Sequence, residues 1–384
     1  MEENKVAFKI CKEYNTAKIV ACLESAFSLL GGLEQYIKPK MKVLIKPDLY
    51  LSTPPNSAKT THPAVVSAIA ELVAKCGASC IIADSPNGEF SQTKLDSTYV
   101  KTEMLNASND GNATLNINDK VCVIPYEKGV STKSFYFIDA INDADLIINV
   151  GKFRCDKYLG LVGCTQNLFG LTAGKMKNLI KTKCYTHERF SNYILDCYQA
   201  LQDKIVLNIL DGIVSCETNN LPRILNSLIV STNPMIVDSL ALKIINQSHK
   251  DSKLLQVANE RKLFSFDYEV LGDDYNSLIL SDYTYTVHPN TILRGSEGSL
   301  FKSYLKRYKQ VSISPSECKG CKKCTRYCPV KAINMVGECA TVDYKKCINC
   351  FKCVDICPYK VIKIKTPLKY RIIEENLNKN LKSK

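Results

Sequence analysis

Two stretches near the end of this chain, ECKGCKKCTRYCPVKAI from Glu317 and KCINCFKCVDICPYKVI from Lys346, repeat one pattern 29 residues apart. Each has three cysteines at C-x2-C-x2-C spacing and, after three intervening residues, a fourth followed by proline. Three thiolates on one tight loop can occupy three corners of an iron–sulfur cube, but the loop cannot fold back to supply the fourth. In a two-cluster arrangement each half lends its last cysteine to the other cluster. This logic assigns Cys318, Cys321, Cys324 and Cys357 to one [4Fe-4S] cluster, and Cys347, Cys350, Cys353 and Cys328 to a second. Paired zinc knuckles would leave half of the cysteines without a role. A radical S-adenosylmethionine loop needs C-x3-C-x2-C, and Lys331 and Lys360 stand where its third cysteine would be. Cys339 belongs to neither set and is expected to be a spare thiol.

About residues 312–366 resemble the bacterial two-cluster ferredoxins, which implies a short electron wire or a store of two electrons. The other eleven of the 19 cysteines lie scattered in apolar contexts, Cys76, Cys80 and Cys122 among them, and are expected to be core thiols. The N-terminal MEENKVAFKICKEYN contains acidic residues and no apolar core, so no export signal is read there. No apolar run reaches the ~18–20 residues of a membrane helix. A cytoplasmic protein without a membrane span is expected, in which metal ligation rather than disulfides accounts for the spaced cysteines.

The net charge of +13 is concentrated at one end. After residue 300 there are 20 Lys and Arg against 6 Asp and Glu, whereas the first 300 residues hold 31 against 32. Basic tails can bind nucleic acid, but aromatics are sparse here and no RNA-recognition or zinc-finger pattern occurs. Anionic clusters and a docking face for an acidic redox partner account for the same lysines.

Upstream, apolar runs alternate with helical patterns. Residues 41–47 (MKVLIKP) form an expected strand, 62–76 a helix with Thr61 as its N-cap, and 78–83 (ASCIIA) the next strand. Strands are also expected over 121–125, 145–150, 204–210 and 226–231, with helices over 93–106, 234–246 and 254–263 and a loop over 106–120. This is the pattern of an α/β fold with a mainly parallel sheet and flanking helices, followed by a small α+β module. The expected organisation is an α/β domain over 1–300, a linker over 301–311 with a helix over 300–309, the cluster module over 312–366, and a basic tail over 367–384.

Polar residues recur where strands end, which is where open α/β sheets place their sites. Lys46 and Asp48 follow the first strand, Asp84 and Ser85 the second, Lys152 the run DLIINV and Asp211 the run KIVLNIL, with Glu217 soon after. Thr60, Thr61 and His62 open a helix whose free N–H groups could hold an anion. Lys46 and Lys152 are expected to grip a carboxylate or phosphate, with Asp84, Asp211 and Glu217 orienting them or binding a metal. His62, with an unperturbed pKa near neutrality, is the expected proton donor.

The stretches VLIKPDLY, TTHPAVVSAIAELVAKCGA, IIADSPNG, ADLIINVGKF, QNLFG, HERFSNYILD, VLNILDGIVSCE and STNPMIVDSLA stand in order over about residues 40–245. They resemble the family called "domain of unknown function 362", often fused to a two-cluster ferredoxin. The resemblance implies an α/β fold with a polar cleft and places Asn167 of QNLFG there. Family members usually carry Thr-His where this chain has Cys155-Asp156, and Lys where it has Gln166. Cys155, beside Arg154 and Lys157, is therefore expected to be a reactive thiol. No G-x-G-x-x-G follows a strand, and Gly170–Lys175 falls one residue short of a P-loop. A flavin bound without a motif stays open. The reading is an iron–sulfur oxidoreductase acting on a substrate or cofactor in the α/β cleft. Its alternatives are an electron-transfer subunit docking a partner enzyme, and a cluster sensor or nucleic-acid binder.

Overall fold

The structure is a computed structural model that describes residues 4–287 and 310–365, apart from Asp110, Lys175, Tyr185, Pro329, Lys345 and 348–351. The helix expected over 300–309, the basic tail and Cys350 lie outside the described residues. The chain divides into two compact units, Met1–Ile292 and Leu293–Lys384.

The first unit is built on β1 (Lys5–Ile10), α1 (Thr16–Leu29), β2 (Lys42–Pro47), α2 (Pro63–Lys75), β3 (Ser79–Ile82), α3 (Gln92–Lys101) and β4 (Ala113–Leu115). Next come the hairpin β5 (Val121–Pro125) and β6 (Ser134–Ile138), α4 (Ala140–Asp143), β7 (Leu146–Asp156) and β8 (Gly160–Leu161). The unit continues through α5 (Met176–Lys183), α6 (His187–Leu201), β9 (Ile205–Cys216), β10 (Pro222–Ser231), α7 (Pro234–Ile244), α8 (Lys253–Glu260) and β11 (Glu269–Gly272). Among the described residues the main sheet runs β11-β1-β10-β9-β7-β2-β3-β4, with β8 paired to the end of β7. The half from β9 to β4 is parallel, and β10 pairs antiparallel with both β1 and β9.

Strand side chains alternate between faces, and here both faces are covered. Val43 and Ile45 pack with Val65, Val66, Ile69 and Val73 of α2, whereas Leu44 packs on the opposite side, in the cluster that includes α6 and α7. The same alternation separates Ala7 from Val6 and Phe8, and Leu228 and Val230 from Ile229. Burial on both faces explains why the central strands are almost continuously apolar.

The expected α/β sheet is present, with corrections at its margins. The stretch 106–120, expected to be loop, contributes the parallel edge strand β4. β7 and β9 run well past 150 and 210 because they keep pairing through bulges to Arg154 and Cys216. α1 buries Ile19, Val20, Leu23, Ala26 and Phe27 on one stripe and is capped by Asn15, whose side chain accepts from Lys18 N. At α2 the N-cap is His62, whose Nδ1 accepts from Ala64 N at 3.2 Å. Thr61 cannot serve, because its Oγ1 accepts from Asp48 N and donates to Val150 O, both at 2.8 Å.

The second unit is small. β12 (Gln310–Ile313) pairs antiparallel with β15 (Ile362–Lys365), and β13 (Ile333–Val336) with β14 (Cys339–Val342). Short helices span Lys323–Arg326 and Lys352–Ile356. The sequence repeat is also a structural one. Lys331 and Lys360, each three residues after the last cysteine of its repeat, both take positive φ, 48° and 53°. Each N–H is bonded to the carbonyl of that cysteine at 3.1 Å. A non-glycine residue seldom adopts this conformation, so its double occurrence marks one loop design used twice.

Candidate functional site

In the second unit Cys318, Cys321, Cys324 and Cys357 line one cavity, with apolar walls that include Ile313, Met335 and Val361. Three of these cysteines come from the first repeat and the fourth from the second, the crossed set that the spacing predicts. The nearby backbone N–H groups of Ala340 and Gly320 hold the pKa of Cys318 below the ordinary thiol value. This favours the thiolate form that metal ligation requires. Gly320 has φ +60°, and a Cβ there would meet the Glu338 carbonyl at 2.7 Å, so the loop needs glycine. Among the described residues no three His, Cys, Asp or Glu side chains converge tightly enough for a single metal ion. The four cysteines instead surround a hollow, and the donor set fits a cube of iron and sulfide. In the other set, Cys353 is buried, Cys328 packs against the same small core, and the Cys328 sulfur accepts from Ala332 N at 3.2 Å.

In the first unit the polar residues at the strand ends come together as three buried ion pairs. Lys46 Nζ lies 2.9 Å from Asp84 Oδ1, Lys152 Nζ 2.8 Å from Asp211 Oδ2, and Arg154 Nε 2.7 Å from Asp48 Oδ2. Strand register sets one of them directly. Lys152 and Asp211 are direct partners across β7 and β9, and Lys46 stands beside Asn149, which stands beside Asn208. On that face Asn167 accepts from Lys46 Nζ at 2.7 Å and donates to Asn149 Oδ1, while Asn149 donates to Asn208 Oδ1. Gly170 closes this turn against the Lys46–Asp84 pair, for a Cβ there would sit 2.4 Å from Lys46 Nζ.

These partners correct the expectation that Lys46 and Lys152 hold an incoming anion. Lys46 Nζ donates to Asn167 Oδ1 and the Pro47 carbonyl, and its charge is matched by Asp84. Lys152 donates to Asp211 and to Tyr14 Oη. The start of α2 is occupied in the same way, since His62 N–H donates to Asp211 Oδ2 at 3.0 Å. Thr60 Oγ1 donates to the Thr53 carbonyl, and Ser85 Oγ accepts from Gly174 N. Glu217 does not join the Lys152 pair. It accepts from Asn219 Nδ2 and Thr284 N.

His62 differs from the expected proton donor. Its ring stacks on Tyr14 at 3.6 Å and 8°, and burial lowers its pKa to about 4, with Asp211 opposing and Lys152 adding to the shift. The imidazole is neutral at physiological pH and its Nδ1 is committed to the helix cap. Its one remaining proton is the Nε2–H of a neutral imidazole, a far weaker acid than the imidazolium expected of a proton donor.

Cys155 is corrected as well. Its side chain is buried inside β7, and desolvation raises the thiol far above its ordinary value, which the nearby Arg154 only partly offsets. A thiol this far from ionisation is a poor nucleophile. Iodoacetamide at pH 7.5 is expected to leave Cys155 unmodified in the folded protein while alkylating the half-buried Cys22, as peptide mass mapping would read. Equal modification of the two would contradict this environment.

A further group went unread in the sequence. Tyr50, in the loop after β2, stands among three cations: Lys181 Nζ at 4.8 Å, Lys177 Nζ at 5.6 Å and Arg154 Cζ at 6.0 Å from its ring centroid. Lys177 is fully buried and donates to the Ser85 carbonyl, and no carboxylate among the described residues lies within ion-pair distance of it. Removing an ammonium from water costs several kcal/mol. A cation–π contact returns about 0.5–2 kcal/mol and a hydrogen bond about 1 kcal/mol. The balance is unfavourable to the charge, and burial accordingly lowers the Lys177 pKa to about 7, helped by Lys46 and Lys181 and opposed by Asp84 and Asp48. The segment GKMKNLIK resembles any exposed amphipathic helix, so nothing local marks Lys177.

A family model described as "Domain of unknown function (DUF362)" matches residues 43–243. The chain belongs to that family. A second model, a 4Fe-4S dicluster domain, matches residues 310–358, over the crossed cysteine set. The DUF362 region covers β2 through most of α7, and so all three buried ion pairs and the cations around Tyr50. A curated relative, a thylakoid-associated protein of Synechocystis sp., is 28% identical over 215 residues, which are 54% of this chain and 63% of that protein. Among solved structures, the lactate racemase apoprotein of Thermoanaerobacterium thermosaccharolyticum aligns with a TM-score of 0.37 and 13% identity, over 60% of this chain and 54% of that one. The chain thus spans less than two thirds of either protein. Among the described residues, no helix is long and apolar enough to cross a membrane.

Proposed function

We propose that this DUF362 protein is a cytoplasmic iron–sulfur oxidoreductase in which two [4Fe-4S] clusters pass electrons to a substrate or cofactor bound by the α/β unit. The observation that carries the redox half is the cavity lined by Cys318, Cys321, Cys324 and Cys357, in which three ligands from one repeat meet a fourth from the other. Clusters of this type supply one-electron transfer when bound. The chain's own residues hold the thiolates, place backbone N–H groups near Cys318 and wall the cavity with apolar side chains. Lys319, Lys322 and Lys323 border the same cavity beside the exposed Cys321. That arrangement favours an acidic protein as the redox partner, drawn in by charge.

A second reading follows from the engagement of Lys46, Lys152 and His62 within the unit. On it, the α/β part performs no chemistry and docks a partner enzyme. Anaerobic purification with iron and sulfide analysis tests the redox half. About eight irons per chain and a paramagnetic signal after dithionite are expected, and iron-free protein from oxygen-free preparation overturns it.

A further inference from the structure

The charges at the strand ends do not balance. Arg154, Lys46 and Lys152 each have an aspartate, whereas Lys177 and Lys181 have none among the described residues. Their remaining hydrogen-bonding capacity is large. An ammonium carries three N–H donors and a guanidinium five. Among the described residues, Lys177 uses one on the Ser85 carbonyl, Lys181 one on Tyr50 Oη at 3.0 Å, and Arg154 its Nε on Asp48. All three cations lie within 6.0 Å of the Tyr50 ring centroid. Lys181 Nζ also lies 5.4 Å from the Tyr158 ring centroid and 5.8 Å from that of Phe169, which hold it in place without neutralising it. Lys177 lies deep, while Lys181, Tyr50 and Tyr158 are half-buried.

We propose that Arg154, Lys177 and Lys181, gathered around Tyr50, form the binding site for a small oxyanion, a carboxylate or a phosphate, that supplies their missing counter-charge. Lys181 and Tyr50 meet the anion at the entrance, and Lys177 and the free edge of Arg154 complete its coordination from below. This deepens the reading of a substrate site in the α/β unit but stands apart from the clusters, so a protein without iron would still bind the anion. The charged groups facing Lys177 are Asp84, Lys46, Lys181 and Asp48. Lys177 titrates near pH 7, so an arriving anion stabilises its charged form. Above that pH, binding takes up a proton and weakens as pH rises towards 9.

Titration calorimetry of the full chain with inorganic phosphate, and separately with malonate, at pH 7.5 tests the site. At least one probe is expected to bind saturably, with a heat that depends on the buffer's ionisation enthalpy. Lys181→Met and Lys177→Met are each expected to weaken it at least tenfold, and with malonate, which is fully ionised at this pH, Lys177→Met to abolish the buffer dependence. Binding of phosphate alone assigns a phosphate-bearing ligand, and of malonate alone a carboxylate. Neither probe binding overturns the proposal, as do folded variants that bind like the wild type. If Lys177→Met does not fold, the half-buried Lys181→Met decides.

Discussion

Cys357→Ala is expected to halve the iron of anaerobically prepared protein, from about eight to about four per chain. Cys357 belongs to the second repeat in sequence but lines the cavity formed by Cys318, Cys321 and Cys324 of the first. Losing it leaves a cube with three protein ligands and one open corner. The signal lost from the dithionite-reduced spectrum should be that of the cluster held by the first repeat. Cys339→Ala is the informative control. Its thiol lies within hydrogen-bonding reach of Cys318, yet it does not line the cavity. Iron unchanged in Cys339→Ala and halved in Cys357→Ala supports the crossed ligation. Full iron in Cys357→Ala contradicts it.

Lys46→Met is expected to destabilise the α/β unit by about 3–5 kcal/mol, because it leaves the Asp84 carboxylate buried without its cation. Both side chains of this pair are fully shielded from water. The exposed pair Lys75–Glu24, with both side chains 52% exposed, provides the comparison. Lys75→Met should cost far less, since solvent screens it. Urea unfolding followed by circular dichroism measures both. The double variant Lys46→Met with Asp84→Leu should recover part of the loss, because no lone charge remains. Recovery stops short of complete because Leu49 N–H loses its acceptor, Asp84 Oδ2. Equal small losses at Lys46 and Lys75 would show that water reaches the strand ends.

Local sequence carried the architecture well where one period dominated. The runs VLIKP, IIAD, DLIINV and KIVLNIL lie in a sheet buried on both faces, so apolarity alone marked them. It did not mark where β7 and β9 stop, because their ends are set by cross-strand pairing through bulges. β4, three residues in a polar stretch, exists because β3 offers it an edge. The polar residues at the strand ends were legible as a group, while their roles were not. Whether Lys46 is a ligand or half of an ion pair depends on Asp84 and Asn167, far away in sequence and brought near by topology.

The eight-cysteine repeat and the alternation of strands with helices were determined by sequence alone, because thiolate spacing on a loop and side-chain period along a strand are short-range geometry. The neutrality of His62, the inert burial of Cys155 and the uncompensated charge of Lys177 were decided only by tertiary structure. A group's protonation is set by the water removed from it and by the charges packed against it, and both are properties of neighbours that the chain brings together only on folding.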